Sequence, residues 1–118
     1  MIKYFSVFSI LFLVSFNCNK AETKICNTSA PLEDLAWLKE IKYSFDMDTS
    51  QCRQKILLYQ YNSNYVFLID RCSSAADHLS QVYNCEGKVI CEFGGIAGIN
   101  TCPDFEQKAV MISSLYDL

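Results

Sequence analysis

Seven cysteines in a chain of 118 residues constrain this sequence more than any other feature. The first, Cys18, follows an apolar leader, and the other six form an even set that three disulfides can close. These six are Cys26, Cys52, Cys72, Cys85, Cys91 and Cys102. No CxxC pair of the kind that holds zinc or performs thioredoxin chemistry is present. So high a cysteine content in a small domain is typical of secreted proteins, and we expect an oxidising compartment.

Residues 1–17 have the pattern of a signal peptide. Lys3 supplies a positive charge, and the apolar stretch over 4–16 is too short for a stable membrane anchor. Cleavage before Cys18 would make it the first residue of the mature chain and a site for lipid. Phe16 and Asn17 stand where lipoprotein signals have small residues, a departure that Bacteroidota-type signals tolerate. The alternative is a secreted protein whose Cys18 pairs or stays free.

We therefore expect three segments along the chain. They are a signal peptide over 1–17, a lipidated cysteine with a polar tether over 18–30, and a single α+β domain over 31–118. Removing 17 of the 118 residues leaves 101, which suits one domain. Asn27-Thr28-Ser29 also matches an N-glycosylation sequon, which has meaning only in a eukaryotic secretory pathway.

The charge of the chain excludes some classes of partner. The formal net charge is −3, and it becomes −4 once Lys3 is removed with the leader. Nucleic acids and anionic lipid surfaces require clustered Lys and Arg to neutralise phosphates, and the sequence has no such cluster. We expect no nucleic-acid partner.

The sequence predicts one amphipathic helix at the start of the domain. Pro31 favours the first helical position, and Ser29 or Ala30 can cap it. Apolar residues then recur at three- and four-residue steps as far as Phe45. Trp37 lies beside this apolar stripe, and we expect it to pack at the stripe's margin.

Two β-hairpins follow the helix. Residues 55–61 and 65–71 are rich in β-formers and are joined by Asn62-Ser63-Asn64, while 79–84 and 88–93 flank a turn at Cys85-Glu86-Gly87. Residues 109–115 suit a short helix or an edge strand equally. We predict an α+β fold in which one N-terminal helix packs on an antiparallel β-meander of about four strands, stapled by disulfides.

An aromatic surface is expected on one face of this meander. It would consist of Tyr59, Tyr61, Tyr65 and Phe67, with the opposite face covered by the helix. Tyrosines on a sheet face suit a protein interface, and ordinary half-buried packing explains them as well.

The disulfide connectivity has 15 possibilities for six cysteines. We expect Cys91 to pair with Cys102 and close a glycine-rich loop. We also expect Cys26 to join the meander through Cys52 or Cys85.

From the helix onward the chain resembles an uncharacterised family of small secreted or lipid-anchored Bacteroidota domains. The similarity includes Leu35-Ala36-Trp37-Leu38, Ile56 to Tyr61, Asp77-His78-Leu79-Ser80, and Gly87-Lys88-Val89-Ile90-Cys91. Its most specific part is Gly94-Gly95-Ile96-Ala97-Gly98 followed by Thr101-Cys102-Pro103-Asp104-Phe105. The resemblance implies an envelope location and a single domain, and it implies no activity, cofactor or catalytic residue.

Candidate catalytic groups are few. His78 is the sole histidine, and disulfide-bonded cysteines are neither metal ligands nor nucleophiles. Asp70 with Asp77 or Asp104 could form a carboxylate pair, but solvated turn residues explain these carboxylates better. We expect His78 to be structural, and we expect no metal, no cofactor and no enzymatic activity.

The glycine loop, defined here as residues 94–102, is the candidate binding loop. Gly94, Gly95 and Gly98 lack the GxGxxG spacing of a dinucleotide site, so they are expected to allow positive φ or close backbone contact beside a disulfide. Asp104 is expected to cap backbone amides around the loop. Ordered loops on rigid scaffolds often carry recognition, so these four residues form the candidate site.

These features predict a non-enzymatic lipoprotein of the cell envelope, anchored to a bacterial membrane and acting as a small binding or structural module. The expected partners are the membrane, through lipid on Cys18, and an envelope or foreign protein. The alternative is a secreted inhibitor or effector acting on a foreign hydrolase, with the glycine loop filling its active-site cleft.

Overall fold

The computed structural model describes residues 23–72 and 78–117. The predicted signal peptide, Cys18 and Asp77 lie outside these residues. Within the described residues the chain forms three helices and six strands. The helices are α1 (Pro31–Asp34), α2 (Ala36–Met47) and α3 (Phe105–Lys108). The strands are β1 (Lys55–Tyr61), β2 (Asn64–Asp70), β3 (Leu79–Tyr83), β4 (Val89–Gly94), β5 (Ile99–Asn100) and β6 (Val110–Asp117).

The strands form one antiparallel sheet in the order β5-β4-β3-β2-β1-β6. The α+β class and the meander β1 to β4 agree with the prediction, but the expected number of about four strands is wrong. β5 forms inside the glycine loop, and β6 forms in the ambiguous tail. β6 pairs with β1 on the side away from β2, which satisfies backbone groups that β1 would otherwise leave open.

A tight turn fixes the register of the first hairpin. Asn62 and Ser63 have φ of 49° and 65°, as a two-residue type I′ turn requires. The turn sets Tyr61 opposite Asn64. Because side chains alternate along a strand, this register decides which residues meet the helix.

The predicted surface of four aromatic residues on one face is therefore wrong. Tyr59 lies opposite Val66, whereas Phe67 lies opposite Leu58 and Tyr65 opposite Gln60. Tyr65 and Phe67 consequently belong to the helix side, where Phe67 is fully buried. Tyr59 and Tyr61 belong to the other side.

The single predicted helix is two helices in the structure. Leu35 is extended, with φ −83° and ψ 106°, and it separates α1 from α2. Its N–H donates to Pro31 O, and its carbonyl accepts the N–H groups of Leu38 and Lys39. Leu35 thus ends one helix and begins the next, while its side chain packs on the same core as Leu32. Pro31 opens α1 as expected.

Both faces of the sheet are covered. The core beneath α2 consists of Leu38, Phe45, Ile56, Leu58, Phe67 and Ile69. The core on the other face consists of Tyr61, Val66, Val82, Cys91 and Phe105. Phe105 on α3 holds this second core together, because its ring centroid lies 5.2 Å from that of Tyr59 and 5.1 Å from that of Tyr61.

Three disulfides join Cys26 to Cys85, Cys52 to Cys72, and Cys91 to Cys102. The pairing of Cys91 with Cys102 agrees with the prediction, and Cys85 is one of the two partners expected for Cys26. The first disulfide spans 59 residues, so it joins the segment before α1 to the turn after β3.

Candidate functional site

The three glycines predicted as a binding loop all have left-handed backbone conformations. The φ angles of Gly94, Gly95 and Gly98 are 103°, 75° and 60°. A Cβ on Gly94 would lie 2.6 Å from the carbonyl oxygen of His78, too close for any side chain. At Gly94, conformation and close backbone approach both require glycine, whereas at Gly98 nothing lies within 4 Å of an added Cβ and only the positive φ favours it.

The glycine loop is closed at its base by a disulfide, and its tip is exposed to solvent. The disulfide of Cys91 and Cys102 closes it, and the N–H of Glu92 donates to the Thr101 hydroxyl at 2.8 Å. Ile96 is 89% exposed. The loop is thus a disulfide-closed hairpin that presents Ile96 at its tip, with Ile99 43% exposed beside it.

Asp104 does not cap the glycine loop, contrary to expectation. The Tyr61 hydroxyl donates to its carboxylate at 2.6 Å, and Lys108 lies 3.0 Å away. The bond from Tyr61, followed by that from Lys108, lowers the pKa of the Asp104 carboxyl below its usual range. Its role is to fix the segment after the loop against β1.

His78 belongs to a network at the end of β2. Its Nε2 lies 2.8 Å from an Asp70 carboxylate oxygen and accepts the N–H of Arg71 at 3.0 Å. Asp70 and Tyr61 stand at opposite ends of the first hairpin, so Asp70 and Asp104 form no carboxylate pair. Across 23–72 and 78–117, no group of three or more His, Cys, Asp or Glu side chains could hold a metal ion.

A cavity of about 580 Å³ lies at the other end of the sheet, where three tight turns meet. We call it the turn cavity. It is lined by Lys24, Cys26, Asn27, residues 61–66, Asn84, Cys85, Glu86 and Ile90. β2 and β4 run away from this end, so the glycine loop lies at the opposite end of β4.

Each turn around the cavity has a definite local cause. The first is closed by hydrogen bonds between Ile25 and Thr28, and the second is the type I′ turn between β1 and β2. In the third, the Asn84 side-chain oxygen accepts the N–H groups of Glu86 and Lys88 at 3.1 and 2.9 Å. The disulfide of Cys26 and Cys85 joins the first turn to the third.

Unusual backbone conformations concentrate at this cavity. Among the described residues, the non-glycine residues with positive φ are Cys26, Asn27, Asn62 and Ser63, and all four line it. Such conformations are costly for residues with a side chain and often mark functional sites. This cavity is not among the sites predicted from the sequence. Asparagine recurs in all three turns, but only the fold brings these turns together.

Trp37 holds the third turn in place. Its ring stacks on Tyr83 with centroids 5.3 Å apart, and its indole N–H donates to Cys85 O at 3.0 Å. A Cβ on Gly87 would lie 2.6 Å from Trp37 Cγ, so the turn packs directly on the indole. The cavity wall is thus anchored to α2 rather than left as a free loop.

Comparison with known proteins gives a family and no activity. Residues 44–117 match a family described as "Domain of unknown function (DUF6970)", and the chain belongs to this family. No curated protein and no solved structure matches the chain significantly. Within the described residues, no helix is both long and apolar enough to cross a membrane.

Proposed function

We propose that this member of the DUF6970 family is a non-enzymatic binding module of the cell envelope, held at a bacterial membrane by lipid on Cys18. The observation that carries the proposal is that one cysteine is left over after the disulfides are counted. The chain has seven cysteines, and the six within the described residues are paired with one another. Cys18 is the seventh, so its position directly after a signal-like leader calls for a separate role.

The sequence around Cys18 supports an anchor. An apolar leader precedes it, and the polar run over 19–24 follows as a tether that holds the domain off the membrane. Each buried methylene of an acyl chain stabilises membrane binding by about 0.8 kcal/mol, so a multiply acylated cysteine anchors stably. The resemblance to lipid-anchored Bacteroidota domains points the same way.

The non-enzymatic assignment rests on how the candidate catalytic groups are used. Asp104 binds Tyr61 and Lys108, and His78 Nε2 faces Asp70 and the backbone N–H of Arg71. The bond between Tyr61 and Asp104 joins β1 to the start of α3, and His78 joins the end of β2 to the start of β3. This is a structural use of carboxylate and imidazole.

Metabolic labelling tests the anchor. The full chain, with its leader, is expressed in a bacterium fed an alkyne-tagged fatty acid, beside Cys18→Ser and, as control, Asn19→Ser. We expect label and membrane association in the wild type and in Asn19→Ser, and loss of both in Cys18→Ser. Label or membrane association that survives Cys18→Ser would refute the proposal.

One observation favours a second function, that of a secreted inhibitor or effector. Ile96 is 89% exposed at the tip of a disulfide-closed loop, as a residue that enters an active-site cleft would be. In this case the protein inhibits a secreted protease or glycoside hydrolase, and Ile96→Asp abolishes inhibition. A panel of such enzymes, assayed with wild type and Ile96→Asp, checks it; no inhibition of any of them by the wild type would contradict it.

A further inference from the structure

We propose that the turn cavity binds an uncharged, hydroxyl-rich ligand, in chemical class a neutral oligosaccharide. This inference rests on the proposed function as a binding module and adds a ligand class to it. It uses residues that neither the candidate loop nor the family assignment includes.

The lining of the cavity matches hydroxyl groups. Asn27, Asn62, Asn64 and Asn84 all face it, and each side-chain amide carries both donor and acceptor atoms. A sugar hydroxyl can likewise donate and accept a hydrogen bond. Each amide can therefore bind one or two hydroxyls, as donor through its NH₂ group or as acceptor through its oxygen. Ser63 adds a further hydroxyl.

Part of this hydrogen-bonding capacity is not used within the protein. The Asn84 oxygen is taken by the third turn, and the Asn64 amide donates to Asn62 O at 3.2 Å. The Asn27 side chain and the Ser63 hydroxyl form no hydrogen bond with residues in 23–72 or 78–117. These groups contact solvent and can exchange water for ligand hydroxyls.

Charge selects against ionic ligands. Lys24 and Glu86 are the charged residues of the lining, and their formal charges cancel. Recognition of a phosphate or carboxylate would favour arginine or an excess of lysine, whereas a cation would favour clustered carboxylates. The balance favours a neutral ligand.

Size and shape agree with a sugar. The volume of about 580 Å³ lies within the usual range of ~300–1,000 Å³ for small-molecule sites. Tyr61 and Tyr65 line the cavity from opposite faces of the sheet. Tyr61 is buried against Phe105, so the partly exposed Tyr65 is the ring that can pack against the apolar C–H face of a pyranose.

The cavity is also preorganised. A disulfide joins two of its three turns, and Trp37 fixes the third against the core. Ligand binding then requires little ordering of loops, which lowers the entropic cost of association. The left-handed residues Asn27 and Ser63 keep their turns tight while presenting polar side chains to the same space.

A glycan array with matched variants tests the inference. Full-length protein is purified from membranes in detergent or, if it is not membrane-bound, from the culture medium. It is applied to an array of neutral and acidic oligosaccharides that also carries an uncharged Gly-Ser peptide. The test variant is the double substitution Asn27→Asp, Asn62→Asp, since aspartate tolerates left-handed φ almost as well as asparagine. The control is Asn100→Asp, the same chemical change in the glycine loop.

We expect saturable binding to one or more neutral oligosaccharides, weakened about tenfold or more in the double variant and within about twofold of wild type in Asn100→Asp. Thermal unfolding confirms that each variant is folded, and each single substitution serves if the double variant is not. The inference is overturned by no saturable binding to any neutral glycan, by equal binding of all variants, or by binding only to acidic glycans or the peptide. The result is independent of lipid on Cys18, so failure of the inference and failure of the anchor are read separately.

Discussion

The glycine loop and the turn cavity lie at opposite ends of β4, and each is held by a disulfide, yet they differ in what remains available to a ligand. In the glycine loop the bridge spans 11 residues and closes a local hairpin. In the turn cavity the bridge spans 59 residues and joins the first of the three turns to the third. The loop ends in one bare aliphatic side chain, whereas the cavity gathers amides from four asparagines.

The difference shows how glycine and asparagine serve two kinds of turn. Glycine at 94, 95 and 98 allows the loop its conformation and adds no side chain for recognition. Asparagine at 27 and 62 adopts a similar left-handed conformation and keeps an amide that can bind something. The glycine-rich motif is the more conspicuous one in the sequence. The residues that have both a left-handed backbone and a polar side chain are instead the asparagines of the turn cavity.

The largest expected effect comes from opening the long disulfide. The double substitution Cys26→Ser, Cys85→Ser should lower the free energy of unfolding by about 4 kcal/mol in the chain-entropy account, and it should abolish ligand binding. The matched pair Cys91→Ser, Cys102→Ser should cost about 3 kcal/mol and leave binding intact. Urea unfolding and the glycan array measure both. Loss of ligand binding only in the Cys91→Ser, Cys102→Ser variant would mean that the glycine loop, not the turn cavity, binds the ligand.

Removal of Trp37 should have the next largest effect. Trp37→Ala deletes the stack on Tyr83 and the hydrogen bond to Cys85 O, at a cost of about 3 kcal/mol. Tyr43, on the same helix, is 66% exposed, so Tyr43→Ala should change stability by less than about 0.5 kcal/mol. Urea unfolding compares the two; equal costs would mean that the third turn does not depend on the indole.

Two glycine substitutions separate strain from contact. Gly87→Ala meets both a positive φ of 81° and the Trp37 ring, and it should destabilise by about 2 kcal/mol. Gly98→Ala meets a positive φ of 60° with nothing within 4 Å, so we expect about 1 kcal/mol. Thermal unfolding ranks them. If Gly98→Ala were the more destabilising, contact with Trp37 would not matter.

The smallest expected effect is a pH dependence at Asp104, which comes after the loop yet binds Tyr61 at the cavity. The pKa of the Asp104 carboxyl is below the ordinary 3.8, chiefly because of the hydrogen bond from Tyr61. The carboxylate therefore stabilises the folded state fully above pH 3.8, and this stabilisation is lost as the pH falls through the lower pKa of the folded protein. Asp104→Asn should therefore reduce stability near neutral pH and flatten the acid decline. Urea midpoints from pH 2 to 7 test this; identical pH profiles for wild type and variant would contradict it.

Local features of this chain were predictable from its sequence. The position of the first hairpin turn, the glycines beside Cys91 and Cys102, and the first four strands follow from short-range chemistry. The predicted turn, Asn62-Ser63-Asn64, is one residue longer than the observed one, because Asn64 already pairs with Tyr61. The strand at Val110–Asp117 could not be predicted in this way, because a short apolar run takes its structure from the strand it pairs with, here β1. The face of Tyr65 depended on hairpin register, and a shift of one residue reverses it.

The turn cavity could not be derived from sequence, because it exists only through long-range pairing. Its walls come from three segments. The disulfide of Cys26 and Cys85 joins two of them across 59 residues, and the pairing of β2 with β3 places the third beside them. Asp104 illustrates the same limit, since a residue next to Cys102-Pro103 was expected to serve the loop. Its carboxylate instead reaches Tyr61, 43 positions away.

Nuclear magnetic resonance of ¹⁵N-labelled protein tests the central claim most directly, because side-chain amides of asparagine give their own signals. The protein is titrated separately with maltotriose, cellotriose and chitotriose, three neutral sugars that differ in linkage or substituent. We predict that at least one of them shifts the side-chain amides of Asn27, Asn62 and Asn64 in a saturable way while Asn100 and the backbone amides of 95–98 stay in place. Shifts confined to the glycine loop, or none at all with the three sugars, would contradict the account.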